Sequence, residues 1–314
     1  MPDIRAGAVR PILKWAGGKR QLLPELRPFY PRRFNRYFEP FLGSGAVFLD
    51  LYNSGLLNED DRGVRLSDIN RDIIGCYLAV RDSVDEVIAA LRTLETGYRA
   101  GGAAHFYEVR DGAFNPARRQ ITGSGDLSAA YTPSLAAMLI FLNRTGYNGL
   151  FRVNARGEFN VPAGRYANPT ICDEGNLRAW SAALGRPGVS LDVGAFDAAL
   201  ADAGQDDFVY LDPPYAPLSG TARFTSYTAG GFDTGQQEQL QRTVIALAAR
   251  GASVLLSNSV APQIRLLYAG RGAARRAGLR ATTVAARRAI NSRAVGRGPV
   301  REYLITNVPR CKLA

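Results

Sequence analysis

Apolar and polar positions change their period twice along the chain. Near the start, the apolar run Arg36–Phe41 breaks at Gly43-Ser44-Gly45. A helical pattern follows from Ala46 to about Tyr52, then a second apolar run, Val64–Ile69, containing Ser67-Asp68. That succession predicts strand, glycine loop, helix and strand, the unit of doubly wound sheets. From about residue 189 the same style resumes. Val189–Val193 and Phe208–Leu211 predict strands, and Asp233–Ala249, after Gly230-Gly231, predicts a helix. Ala252–Leu256 predicts another strand, and Leu279–Ala285 with Val300–Thr306 a closing antiparallel pair.

Residues 91–188 read differently. Helical periods cover His105–Phe114, Pro133–Arg144 and Asp173–Leu184, while Gly97–Ala104 and Thr122–Ser128 read as loops. Between the last two helices, Thr145–Tyr166 is rich in Gly, Asn, Arg and aromatic residues. Its alternation around Asn154-Ala155-Arg156-Gly157 predicts a hairpin. The expected fold class is α/β, a doubly wound sheet interrupted by a mainly helical insertion. Residues 1–90 and 189–314 form one discontinuous domain in this reading, and 91–188 a second, with its hairpin at about 145–166.

Composition narrows the choice of chemistry. Basic side chains number 39 against 28 acidic, for a net charge of +11. All but Lys14, Lys19 and Lys312 of the basic residues are arginine. Such a surplus favours a polyanionic partner, although an arginine-biased surface would give the same total. Cys76, Cys172 and Cys311 stand far apart, against a disulfide framework or a zinc cluster. The lone histidine, His105, has no nearby nucleophile, which disfavours histidine-centred catalysis. No apolar run reaches the roughly 18 residues of a membrane helix, and MPDIRAGAVR lacks the apolar core of a secretory signal.

Four segments carry chemistry. Phe38-Glu39-Pro40-Phe41-Leu42-Gly43-Ser44-Gly45 delivers a strand into a Gly-x-Gly turn that admits close approach of a nucleotide-like ligand. Phe48 replaces the third glycine of a dinucleotide fingerprint, which argues against an NAD oxidoreductase. Asp68 follows the turn at a distance suited to a ribose hydroxyl pair, or else caps the next helix. Asp212-Pro213-Pro214-Tyr215 follows the apolar strand Phe208–Leu211. Held rigid by its prolines, it offers Asp212 and the Pro213 carbonyl as acceptors for the hydrogens of an adenine N6 amine, with Tyr215 against the base face. A structural turn is the alternative.

The third segment, Lys14-Trp15-Ala16-Gly17-Gly18-Lys19, resembles a phosphate loop only at Gly18-Lys19. Arg20 stands where Ser or Thr is required, so a Walker site fails. The fourth, Asn143-Arg144-Thr145-Gly146-Tyr147-Asn148-Gly149-Leu150-Phe151-Arg152 with Gly164-Arg165-Tyr166, offers groups for base edges and phosphates, or a basic surface hairpin.

Taken together the segments resemble the Dam-like family of DNA adenine N6-methyltransferases with the alpha-group motif order, over roughly Pro11 to Asn307. The resemblance implies a Rossmann-like methyltransferase sheet with an inserted target-recognition domain. It implies S-adenosyl-L-methionine as methyl donor, S-adenosyl-L-homocysteine as product, no metal, and a flipped adenine in duplex DNA as acceptor, with GATC the expected site. By that analogy Trp15, Lys19, Asp68 and Asp212 contact the donor, with Phe38, Glu39 and Gly43 to Gly45 around its methionine end. Asp212, Pro213, Pro214 and Tyr215 hold the adenine. Lys14, Arg144, Tyr147, Asn148, Leu150, Arg152, Arg165 and Tyr166 meet DNA. A monomer in the cytoplasm, associated with the nucleoid through DNA and with no membrane, is expected, and pairing with a cognate restriction endonuclease stays open. So do two alternatives: a catalytically silent DNA-binding protein on the same fold, and a methyltransferase with another site. RNA and protein-amide methyltransferases, which commonly carry Asn in place of the Asp, are disfavoured by Asp212 and the hairpin.

Overall fold

The computed structural model describes residues 7–15, 17–57, 62–121, 125–216, 232–270, 272–287 and 299–311. Ala16, Thr122, Gly230-Gly231, Arg271 and Lys312 of the sequence reading lie outside them. Among the described residues there are seven strands: β1 (Tyr37–Glu39), β2 (Val64–Asp68), β3 (Val189–Val193), β4 (Phe208–Leu211), β5 (Ser253–Ser259), β6 (Arg280–Arg287) and β7 (Pro299–Thr306). No helix of the described residues is long and apolar enough to cross a membrane.

The chain divides into two compact units. One comprises residues 19–42, 56–69 and 194–314 and holds six of the strands, in the order β2-β1-β4-β5-β7-β6. The first four are parallel, whereas β7 runs antiparallel to both β5 and β6. Every residue of β1 and β4 is buried, which is why they read as continuous apolar runs rather than alternating ones. Phe38, Val209, Leu211, Val254, Leu256 and Ile305 share a core with Leu240, Val244 and Leu247 of the helix Thr234–Ala249. Asp233 starts that helix with a capping box, accepting from the Gln236 amide at 2.9 Å while its own N–H donates to the Gln236 side chain at 3.0 Å. From β1 the chain winds outward to β2, and from β4 outward to β5, so the carboxyl ends of neighbouring β1 and β4 form a topological switch point. Open α/β sheets bind ligands there. The expected α/β, doubly wound class is borne out.

The other unit comprises residues 1–18, 43–55 and 70–193 and is mainly helical. Here the pattern reading needs two corrections. Gly97–Ala104, expected as a loop, lies inside the helix Val84–Tyr107, bent at Gly102 where φ is +53°. Packing overrides glycine's poor propensity: Tyr98, His105 and Phe106 all meet Phe141 of the helix Pro133–Thr145, with centroids 5.7–6.3 Å apart. A side chain at Gly97 would occupy the space of the His105 ring. The helical period read at His105–Phe114 is the end of this helix and a π-helical continuation, Glu108–Phe114. In the second expected loop, Leu127–Ala130 forms a short helix capped by Asp126.

The expected hairpin forms around residues 154–157, where the Asn154 amide donates to the Glu158 carbonyl at 2.9 Å and the Asn160 amide to the Arg152 carbonyl at 3.1 Å, but it does not extend into a continuous ladder. Only two isolated bridges form, Gly146 with Ala163 and Val153 with Phe159. Asn154 closes its tip, its side chain accepting from the Arg156 and Glu158 amides at 2.9 and 3.0 Å. The rest is pinned from outside. Buried Asn115 exchanges two hydrogen bonds with the Phe159 backbone, at 2.8 and 3.0 Å. Arg118 binds buried Asp72 with its Nε and Nη2 groups and donates to the Gly157 carbonyl, and Arg119 pairs with Glu158 at 2.7 Å.

Candidate functional site

At the switch point, β1 ends on Glu39 and β4 leads into Asp212. Glu39 is buried and accepts a 2.7 Å hydrogen bond from the Tyr37 hydroxyl. Asp212 is one-fifth exposed, and its Oδ1 receives Lys19 Nζ at 2.8 Å and the Ser257 hydroxyl at 3.0 Å. Tyr210 and Ser257 share a further hydroxyl contact at 3.2 Å. Burial raises the Asp212 pKa, and Glu302 adds to the rise, against the pull of Lys19 and Ser257. Lys19 sits in a single 3₁₀ turn, Lys19–Gln21, with its ammonium 4.6 Å from the centre of the Tyr215 ring.

The loop after β4 is braced along its length. The Pro214 carbonyl accepts from Gln237 at 3.1 Å, and Gln237 in turn accepts from Asn258 at 3.1 Å. Ser259 donates to the Ala216 carbonyl at 2.8 Å, and Tyr215 donates its hydroxyl to Glu302 at 2.6 Å. Burial holds the Tyr215 phenol well above its usual pKa, so it remains a donor. Pro213 is buried beside them. Phe38 is buried under the Arg36 guanidinium, 5.0 Å away. Asp68 ends β2, its carbonyl accepting from Gly194 at 3.2 Å, and neighbouring Ile69 is 57% exposed.

The mainly helical unit holds the remaining expected residues. Asn70, not Asp68, caps the helix Arg71–Asp82, by accepting from the Asp72 amide at 2.9 Å. Gly43 has φ +48°, and a Cβ there would stand 3.0 Å from Trp15 Cδ1, so a side chain would be strained and crowded against the indole. Tyr77 fixes the Gly43 carbonyl at 2.8 Å, Gly45 precedes the helix Ala46–Asn53 with φ +65°, and Trp15 stacks on Phe151 at 5.5 Å.

Lys14 is clamped by Asn143. That side chain accepts from the Lys14 amide at 2.7 Å and donates to the Lys14 carbonyl at 2.8 Å and the Gly149 carbonyl at 3.0 Å. The Lys14 ammonium lies 4.4 Å over the Tyr166 ring, and burial and then Arg144 lower its pKa. Gly149, at φ +61°, leaves the space that the Lys14 stem occupies. Arg144 turns inward to the Ile12 and Pro11 carbonyls at 3.0 and 3.4 Å. By contrast Tyr147 is 44% exposed, and Asn148 beside it has φ +55°. Leu150 is half-buried. Arg152 is exposed and steadied by Asn160 at 2.8 Å. Arg165 and Tyr166 line a cavity of about 580 Å³ with Tyr98 and Arg99. Ser257, Gln237, Glu302 and Asn115 escaped the sequence reading, because each serves its neighbour through the tertiary fold and carries no local motif; Asn143 stood in the fourth segment, but its clamp on Lys14 was not foreseen.

Comparison with known proteins decides among the chemistries such a site permits. The family described as D12 class N6 adenine-specific DNA methyltransferase matches residues 15–282. The chain belongs to this family. As an adenine-N6 DNA methyltransferase it is similar along about four-fifths or more of its length to named relatives. It is 33% identical over 299 residues to the Type II methyltransferase M1.LlaDCHI of Lactococcus lactis subsp. cremoris, covering 95% of each chain. To the Type II methyltransferase M.MjaIII of Methanocaldococcus jannaschii it is 39% identical, over 80% of this chain and 84% of the relative. To the DNA adenine methylase of Escherichia coli K12 it is 36% identical, over 79% and 80%. The D12-class methyltransferase thus carries its Asp-Pro-Pro-Tyr segment at the sheet's switch point, with the acidic side chain fixed by Lys19 and Ser257.

Proposed function

We propose that the enzyme methylates N6 of an adenine flipped out of duplex DNA, at GATC sites, with S-adenosyl-L-methionine as donor. The braced Asp212–Tyr215 segment at the switch point carries this reading. An exocyclic adenine amine is a weak nucleophile because its lone pair is delocalised into the ring. Two acceptors at fixed positions, the Asp212 carboxylate and the Pro213 carbonyl, would hold its two hydrogens and turn the lone pair out of the ring plane. Tyr215 would stack on the base, and its braced position would help hold the amine in the geometry such a transfer needs. No metal takes part in this proposal.

The residues fit the donor. Bound there, it supplies a sulfonium-activated methyl group. Lys19, Phe38, Glu39, Asp68 and Asp212 would surround it at the sheet edge, and Trp15, Gly43 and Gly45 would also touch it; the Gly43 Cα lies tight against the Trp15 ring. Asn70, not Asp68, caps the following helix, and Asp68 at the end of β2 would meet the ribose. Residues 1–90 and 189–314 would act as the catalytic domain and 91–188 as the target-recognition domain. The protein would work as a monomer on nucleoid DNA in the cytoplasm, with a restriction endonuclease as the partner to look for beside its gene. Lys14, Tyr147, Asn148, Leu150, Arg152, Arg165 and Tyr166 would meet the duplex. Arg144, bound to backbone carbonyls, would act by holding Lys14's segment in place.

The test is expression in a methylation-free host and mapping of modified adenines across its genome. Methylation at GATC is expected; absence of N6-methyladenine overturns the reading, and a different sequence overturns only the site. Arg152→Ala is expected to cost about 1–3 kcal/mol of discrimination at one base pair. Relative kcat/KM on single-substituted duplexes measures it, and an unchanged preference removes Arg152 from base reading.

A further inference from the structure

We propose that Glu302 is a positioning residue for the transfer reaction: through the Tyr215 hydroxyl it sets the plane of the ring on which the target base stacks. The inference rests on reading Asp212–Tyr215 as the adenine site. Tyr215 leaves the sheet in a loop, and a tyrosine ring on a loop has two side-chain torsions to settle. The tip of the side chain is where a restraint has most leverage over ring tilt. There the hydroxyl donates to Glu302 Oε2 at 2.6 Å, the length of a charge-assisted hydrogen bond. Glu302 is itself anchored in β7 between two antiparallel partners, opposite Ser259 on β5 and Val284 on β6. The restraint therefore comes from the sheet and not from the loop that carries the tyrosine.

The ammonium of Lys19 lies 4.6 Å from the ring centre, so one face of Tyr215 is taken and in this proposal the base would stack on the other. Tilting the ring would move that face relative to the Asp212 carboxylate, which Lys19 and Ser257 hold in place. Glu302 thus links the stacking surface to the acceptors that must grip the same base. A Gln at this position can still accept from the hydroxyl, and that separates orientation from charge.

Methyl transfer should be measured for the full chain with Glu302→Ala, Glu302→Gln, Tyr215→Phe and the Tyr215→Phe/Glu302→Ala double variant, with melting temperatures as the control for folding. Glu302→Ala is expected to lower kcat about 10- to 100-fold, with KM for the methyl donor unchanged. Tyr215→Phe should match it, and the double variant should be no slower than either single one. Glu302→Gln should stay within about threefold of the parent. Wild-type kcat in Glu302→Ala, an equal loss in Glu302→Gln, or multiplying losses in the double variant would each overturn the role while the parent reading stands. An unaltered chain that methylates no adenine overturns both.

Discussion

Replacing Asp212 by alanine is expected to lower methyl transfer about a thousandfold or more, on the scale seen when a preorganised hydrogen-bonding group is removed from an active site. The carboxylate occupies the carboxyl end of β4 with Lys19 and Ser257 on the same oxygen. Its other oxygen is what a substrate amine would engage. Alanine removes the acceptor and also deprives Lys19, 6% exposed, of its carboxylate, so Asp212→Asn should be measured alongside to separate lost chemistry from lost packing. The pH dependence follows from the raised pKa. Asp212 accepts a proton above its ordinary value near 3.8, and a protonated carboxyl both loses an acceptor and weakens the tie to Lys19. The rate should therefore fall on acidification along a limb lying above the usual aspartate range. Removing Lys19, whose charge pulls the pKa down, should move that limb to higher pH. Single-turnover assays with labelled donor read both effects; retained turnover in both Asp212 variants would remove this carboxylate from the mechanism.

Much of the sheet was legible because its signals are local. An apolar run ending on Glu39 or before Asp212, a Gly-x-Gly break and an Asp-Pro-Pro-Tyr loop declare themselves within a few residues. The lysines were legible for a different reason: in a chain whose basic residues are nearly all arginine, Lys14 and Lys19 are exceptions. Each ammonium lies over a tyrosine ring, Lys14 at Tyr166 and Lys19 at Tyr215, in space bounded by backbone or carboxylate. A compact point charge fits there, whereas a planar guanidinium would need more room.

What stayed hidden is whatever the tertiary fold supplies. Ser257 and Glu302 reach Asp212 and Tyr215 from β5 and β7, 45 and 87 residues further along the chain. The glycines at 97, 101 and 102 looked like a loop because propensity knows nothing of the His105 ring that takes the space beside Gly97. Likewise the alternation at 145–166 predicted the hairpin but not the side chains of the helix Asn115–Gln120 that hold it.

That dependence makes Arg118→Ala the substitution with the largest expected cost in stability. Asp72 is 4% exposed, and Arg118, 20% exposed, gives it two guanidinium contacts of 2.8 Å while donating to Gly157 in the loop. Truncating one partner of a buried pair strands the other, at a cost of about 3–5 kcal/mol. The partial exposure of Arg118 and the long Tyr131 contact to Asp72, at 3.5 Å, place the expectation near 3 kcal/mol. Melting temperature should drop by roughly 5–10 °C for a chain of this size. Acidification should shrink the deficit. Burial already holds the Asp72 pKa above its ordinary 3.8, with Arg118 pulling it down, so losing the guanidinium lets it rise further. An acid with a raised folded-state pKa costs stability wherever the folded protein keeps it ionised. That cost fades as pH falls from the folded value toward the unfolded one. The gap to the unaltered protein should thus be widest at neutral pH and narrow toward pH 4. Arg118→Lys keeps the charge but not the fork, and should recover only part of the stability. Since Gly157 loses its donor in the alanine variant, target discrimination should weaken even at temperatures where the fold is intact. A pH-independent deficit, or unchanged discrimination by the folded variant, would show that the loop holds its shape without this clamp.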